Sequence, residues 1–198
     1  ELKGISCIAI EQNPSGKQNI CTSRSFGEEI SDFPVLLESV AYFTASCARK
    51  LRGQKSVAGI ITVFLYTNRF KKEVPQYYPS ITVHLPVPSA NPGELIKYAR
   101  MSLKQIYRPG YKYKKAGVIV SDITSASNVQ CSLFDATDRH KQAKILSVID
   151  TVNRKYGTDT LRSCAQPPNC FRKWSLKSQY ISRRYTTNIN DIIVLNCK

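Results

Sequence analysis

The sequence predicts an α+β fold: a four-stranded antiparallel sheet built in the order β-α-β-β-α-β with two helices on one face, followed by a small, mostly helical and irregular C-terminal region. Three observations predict it. Two stretches repeat apolar residues at the 3–4 spacing of a helix. The strand-like runs 57–67 and 80–85 follow one another with no helix between them. Further strand-like runs open and close the series. A chain of 198 residues, 42% hydrophobic, can bury one core and support a smaller appendage.

Residues 1–17 hold a short alternating stretch (Leu2, Ile5, Cys7, Ile8, Ile10) and the turn-rich Asn13-Pro14-Ser15-Gly16-Lys17, and read as the tail of a preceding element plus a linker. A strand covers 18–26, with Ile20, Thr22 and Phe26 in a run bounded by Gly27. Ser31 or Asp32 can cap the next helix, with Pro34 tolerated in its first turn. Leu36, Val40, Phe43, Cys47 and Leu51 form its apolar stripe, and Gly53 ends it. In the run 57–67, Ile61, Val63 and Leu65 alternate with Ile60, Thr62, Phe64 and Tyr66; in 80–85, Ile81, Val83 and Leu85 alternate with Ser80, Thr82 and His84. The loop between them, Asn68 to Pro79, is too long for a tight hairpin and mixes cations with aromatics. Asn91-Pro92-Gly93-Glu94 opens a second helix as N-cap, N1 and N3, with Ile96, Ala99, Leu103 and Ile106 as its buried face and Pro109-Gly110 beyond its end. The last strand covers 116–123.

After Asp122 the texture changes. Residues 126–138 read as a polar tether with one apolar cluster, Gln130 to Phe134, and a third helix covers 139–156, with Ile145, Ile149, Val152 and Tyr156 on one face and Gly157 at its end. The last forty residues show no clear periodicity, and Trp174 there suits either a second binding surface or a small core of its own.

Charge narrows the function. Lys and Arg number 29 against 14 Asp and Glu, a net +15, which points to a polyanionic partner. Residues 1–50 hold 5 basic and 6 acidic groups, 51–125 hold 12 and 3, and 126–198 hold 12 and 5. The positive field therefore belongs to the middle and the end. The cations Arg24, Arg69, Lys71, Lys72, Lys112, Lys114 and Lys115 fall where strands begin or end, with Ser23, Ser25 and Thr82 between them, a pattern suited to a phosphate backbone. An ordinary basic solvated surface is the plainer alternative.

No apolar run approaches the roughly 18–20 residues a membrane helix needs, and the N-terminus lacks the layout of a signal peptide. Seven scattered cysteines without a CxxC pair suit a reducing, cytoplasmic compartment and give poor zinc spacing. His84 and His140 stand apart, with no Ser or Cys beside them in a hydrolase motif. The chain begins without Met and reads as a fragment of something longer.

The same strand order belongs to RNA-recognition sheets, which stack bases on aromatics of their central strands. The run 80–85 offers Ser80, Thr82 and His84 on its expected open face and no aromatic, which favours phosphate contact over base stacking. An RNA- or single-strand-binding module of that type, and a nucleic-acid-processing enzyme, are the alternatives.

Ser23-Arg24-Ser25-Phe26-Gly27, the two-helix sheet, Lys114-Lys115-Ala116-Gly117-Val118 and the tail pattern of Trp174, Leu176, Lys177, Ser182, Arg184, Tyr185, Thr186, Thr187 and Asp191 together resemble the C-terminal part of the UmuC branch of the Y-family translesion DNA polymerases. The resemblance implies the end of a thumb and a linker over 1–17, a DNA-binding little finger domain over 18–125 and a small UmuC-type C-terminal domain over 139–198. It implies DNA contacts from Ser23, Arg24, Ser25, Phe26, Arg69, Lys71, Lys72, Thr82, His84, Lys112, Lys114 and Lys115. Gln130-Cys131-Ser132-Leu133-Phe134 resembles the peptide with which bacterial polymerases grip the sliding clamp, through Gln130, Ser132, Leu133 and Phe134. Cys131 departs from the aliphatic residue usual at that position. The resemblance also implies a processed UmuD dimer and RecA as partners of the parent protein and a part in the SOS response. The magnesium of nucleotidyl transfer belongs to a palm domain that this chain lacks, so the chain as given is expected to have no catalytic residue and no cofactor of its own.

Overall fold

Four strands and three helices follow in the expected order: β1 (Ile20–Ile30), α1 (Phe33–Gly53), β2 (Ser56–Thr67), β3 (Ser80–Ser89), α2 (Pro92–Ile106), β4 (Tyr113–Ser125) and α3 (Arg139–Tyr156). They are seen in a computed structural model, which describes residues 4, 5, 7, 15–71, 73–130, 132, 135, 137–166, 173–176 and 180–193. The strands form one antiparallel sheet in the order β1-β4-β2-β3, so β2 and β4 are central. β3 runs on past residue 85 through Pro86 and Pro88, which an edge strand tolerates because its outer N–H groups have no ladder partner to lose. Across those prolines the pairing jumps from His84 opposite Ile60 to Ser89 opposite Ala58.

Both amphipathic helices cover one face of this sheet. The five predicted α1 positions, Leu36, Val40, Phe43, Cys47 and Leu51, are each at most 1% exposed, and Leu95, Ile96, Ala99, Leu103 and Ile106 of α2 are buried beside them. They pack on Ile61, Val63 and Leu65 of β2 and on Ala116, Val118 and Val120 of β4. The buried Cys47 Sγ reaches Thr22 Oγ1 at 3.2 Å and ties α1 to β1; burial pushes its thiol pKa up, as suits a structural thiol. Asn91 caps α2 as predicted, its Oδ1 accepting from the Gly93 N–H at 2.8 Å. Asp32 occupies the α1 N-cap without a side-chain cap bond, and its carbonyl accepts from Leu36 N–H instead.

α3 has the predicted limits, and none of its residues is fully buried. Of the apolar residues on its one face, Ile145 and Tyr156 are 51% and 66% exposed, and Ile149 and Val152 are half-buried. Polar contacts hold the helix. Arg52 donates twice to Asp150, Nε to Oδ2 at 2.6 Å and Nη2 to Oδ1 at 2.7 Å. Asn91 Nδ2 donates to Gln142 Oε1, and Glu94, rather than closing a capping box, pairs with Arg139 at 3.5 Å.

Trp174 is fully buried, but in the main core and not in a core of its own. Its ring lies 5.2 Å from Tyr42 and 5.3 Å from Phe43, both on α1. The neighbouring Ser175 carbonyl accepts from the Gly27 N–H of β1 at 3.2 Å. Nearby in sequence, the Asp191 carboxylate accepts from the Arg184 N–H at 3.1 Å and from Asn188 Nδ2 at 3.3 Å, which closes the turn at 184–188.

Candidate nucleic-acid interface

The sheet face away from the helices is set by strand parity. Where Val63 pairs with Val118 and Ile61 with Val120, side chains point into the core; the residues between them point out. The open face therefore carries Cys21, Ser23 and Ser25 of β1, Lys115, Gly117, Ile119 and Ser121 of β4, Ile60, Thr62, Phe64 and Tyr66 of β2, and Ser80, Thr82 and His84 of β3. Thr62 and Thr82 lie opposite one another with their Oγ1 atoms 2.9 Å apart.

Lys115 reaches this face by ordinary alternation with Gly117 and Ile119, and a bulge lies just before it. Tyr66 pairs with Lys115 and the next residue, Thr67, pairs with Tyr113, so Lys114 is the extra residue. The extra residue swaps the parity: Tyr113 turns into the core at 0% exposure while Lys115 turns out. Tyr113 is a firm anchor for this, since its buried phenol accepts from the Arg108 N–H at 2.9 Å and donates to the Arg108 carbonyl at 3.1 Å; burial raises its pKa. Lys114 Nζ donates to the Gly27 carbonyl at 3.2 Å, a contact within the fold.

The structure divides the residues expected to contact DNA. Ser23, Ser25, Thr82, His84 and Lys115 share the open face. Phe26 is only 1% exposed and belongs to the core, so its side chain is not available to a ligand. Arg24 pairs with the buried Ala116, so it projects from the sheet edge on the helix side, away from Ser23 and Ser25. Arg69 lies in the β2–β3 loop with its guanidinium 5.8 Å from the Tyr78 ring. Lys71 is paired with Glu29 at 2.8 Å, and this bond holds the Glu29 carboxyl below its ordinary value despite the cost of burial. Lys112 is exposed close to the same carboxylate and also lowers its pKa. Lys72, Cys131, Leu133 and Phe134 lie outside the described residues; Gln130 and Ser132 are exposed.

Two aromatics of β2 were not expected on this face. Phe64 and Tyr66 lie with ring centroids 4.9 Å apart, Tyr78 meets Tyr66 edge-on at 5.7 Å, and Lys115 Nζ stands 6.0 Å from the Phe64 centroid. The signal was the alternation itself, which leaves β2 apolar on both sides. Phe64 is nevertheless only 6% exposed, because its ring spreads over Gly117 and Ser23; a Cβ at residue 117 would stand 2.3 Å from Phe64 Cζ. Lys115, Tyr66, Tyr78, Arg69, Ser25 and Ser80 thus gather at one end of the face, and His84 and Ser121 lie toward the other. Among the described residues no group of three or more His, Cys, Asp or Glu is placed to hold a metal ion. No described helix is long and apolar enough to cross a membrane.

Comparison with known proteins gives this arrangement a family. The chain is 35% identical over 194 residues to Protein UmuC of Salmonella typhimurium, covering 98% of this chain and 46% of that protein. It is 34% identical to Protein ImpB of the same organism over 97% of this chain and 45% of that one. To Protein MucB of Escherichia coli it is 32% identical over 100% of this chain and 46% of that one. The chain thus spans about half the length of the curated relatives it matches. Similar solved structures include a Y-family DNA polymerase chimera (TM-score 0.44, 13% identity, 60% of this chain and 32% of that one). They also include the complex of a beta-clamp processivity factor with the little finger domain of PolIV (TM-score 0.39, 17% identity, 59% and 99%). A model described as a domain of unknown function matches residues 143–195. The model of the impB/mucB/samB family C-terminal domain matches residues 17–133, more than half of the chain, and the protein belongs to that family.

Proposed function

We propose that residues 18–125 are the DNA-holding little finger of a Y-family translesion DNA polymerase, gripping the template-primer duplex by its phosphates, while residues 130–134 dock the sliding clamp. The observation that carries the first part is the open face: Lys115 directed outward by the alternation of β4, hydroxyls of Ser23, Ser25, Thr62, Ser80 and Thr82 around it, and a strongly basic middle segment. The family match supports it. Nucleotidyl transfer and its magnesium would belong to the remaining length of the longer relatives. Bacterial cytoplasm, SOS lesion bypass, and UmuD and RecA as partners of the whole protein follow from the same reading.

The test is the salt dependence of duplex binding. Lys115→Ala should weaken binding to every sequence about equally and make the log-log salt slope shallower by roughly 0.9, the signature of one lost phosphate contact. Lys114→Ala removes a side chain whose ammonium is engaged with Gly27, and should change that slope less. An unchanged slope for Lys115→Ala, or a loss confined to one sequence, would remove this lysine from the interface.

For the clamp, Leu133→Ala with Phe134→Ala should abolish binding of labelled clamp and leave duplex affinity intact. Burying two such side chains is worth very roughly 1.5–3 kcal/mol each before ordering costs, enough for a micromolar complex. Equal clamp affinity in the two proteins, or a large fall in melting temperature in the variant, would assign these residues to the fold instead.

A further inference from the structure

The β2–β3 loop presents an aromatic that the fold does not use. Phe70 is 90% exposed, and the loop around it is braced. Its own N–H donates to Asn68 Oδ1 at 3.1 Å, and Gln76 Nε2 donates to the carbonyls of Asn68, Lys71 and Val74 at 3.2, 2.7 and 3.0 Å. Lys71, next in sequence, is anchored on Glu29. These bonds order the backbone on either side of Phe70 while its ring stays exposed.

From Arg69, next to it in sequence, aromatic contacts continue onto the sheet. Arg69 lies over Tyr78, which is 42% exposed; Tyr78 meets Tyr66, and Tyr66 meets Phe64 under Lys115. A duplex offers a protein its phosphates and base edges, while its base faces are stacked on one another. Exposed aromatic rings with cations between them suit the opposite case, unpaired bases strung on a phosphate backbone. The geometry points to a second DNA subsite at this end of the sheet: Phe70 and Tyr78 stack on bases of an unpaired DNA strand and Arg69 meets its backbone. This subsite rests on the reading that the neighbouring open face holds duplex, and it adds the single strand that adjoins a template-primer junction.

The test uses the full 198-residue chain. Anisotropy titrations at one salt concentration compare labelled dT15, an abasic 15-mer with the same number of phosphates, and a 15-base-pair duplex. Wild type should prefer dT15 over the abasic strand by about tenfold or more, the scale of base–aromatic stacking. Phe70→Ala with Tyr78→Ala should erase that preference and leave duplex affinity and its salt slope unchanged. Phe70→Ala alone, at a nearly fully exposed position, should remove part of it without moving the melting temperature. Equal wild-type affinity for dT15 and the abasic strand, or an equal loss on all three ligands in the variants, would overturn the subsite. Failure of wild type to bind duplex, with the base preference kept, would overturn the duplex reading alone.

Discussion

Trp174→Ala should destabilise the whole domain by about 3–5 kcal/mol, the cost of removing a large aromatic from a core that cannot close around the gap. The residue is fully buried against Tyr42 and Phe43 of α1, and the adjacent Ser175 carbonyl takes the Gly27 N–H of β1, so the tail is joined to the sheet by packing and by a backbone bond. For a chain of this size such a loss lowers the melting temperature by about 6–20 °C, as one transition. Denaturant or thermal unfolding of wild type and variant measures it directly. A tail domain with a core of its own predicts another outcome: an unchanged main transition and the loss of a small separate one. Truncation after residue 166, which keeps α3 and its polar contacts to Arg52, Asn91 and Glu94, separates the two arrangements again, since it should cost residues 18–125 stability if Trp174 belongs to their core.

That contact is also where the sequence was silent. The helices and strands could be read because each buries one side against a common core, and the spacing of Leu36, Val40, Phe43, Cys47 and Leu51 or of Ile61, Val63 and Leu65 records that burial directly. Trp174 lies in no helix or strand, and no periodicity says which surface an isolated side chain will seek. α3 shows the converse: a helical apolar spacing that the fold buries at most by half, on a helix also attached through Arg52–Asp150, Glu94–Arg139 and Asn91–Gln142. Long-range polar pairs of this kind leave no local pattern.

At the candidate site, grouping along the chain was a poor guide and parity a good one. Phe26 follows Ser23-Arg24-Ser25 in sequence, but it shares the parity of Ile20 and Thr22 and goes inside with them. Arg24 shares that parity as well, which takes it off the open face. Simple parity also places Lys115, opposite in phase to the buried Ala116 and Val118, but it fails for Tyr113, because the bulge at Lys114 turns that ring inside. Bulges follow from pairing between distant strands, so Lys115 could be aimed from the alternation of its strand, while the inward turn of Tyr113 could not.

The open face itself hinges on Gly117. Opposite Phe64 in the central pair β2–β4, it leaves room for a ring that lies across it, and an added Cβ would sit 2.3 Å from Phe64 Cζ and 2.5 Å from Ser23 Cβ. Covering an interior strand glycine with a cross-strand aromatic compensates for the missing side chain. Neither contact is the free end of a flexible chain: the ring is confined by Tyr66, and the Ser23 Cβ is fixed by the β1–β4 pairing. Gly117→Ala should therefore cost about 1–3 kcal/mol by overpacking and lift Phe64 from the sheet, and Gly117→Val should cost more. Because Lys115 stands over that ring, duplex affinity should fall together with stability. Phe64→Ala alone leaves the glycine bare and should cost about 3–5 kcal/mol. In Gly117→Ala with Phe64→Ala the new methyl occupies space that the ring has vacated, so the double variant should be clearly more stable than the sum of the two single losses predicts, by about 0.5–3 kcal/mol. Only the Ser23 contact then remains to be relieved. Strictly additive losses in urea unfolding would show that the ring and the glycine do not share this space, and that something other than their contact holds the face in shape.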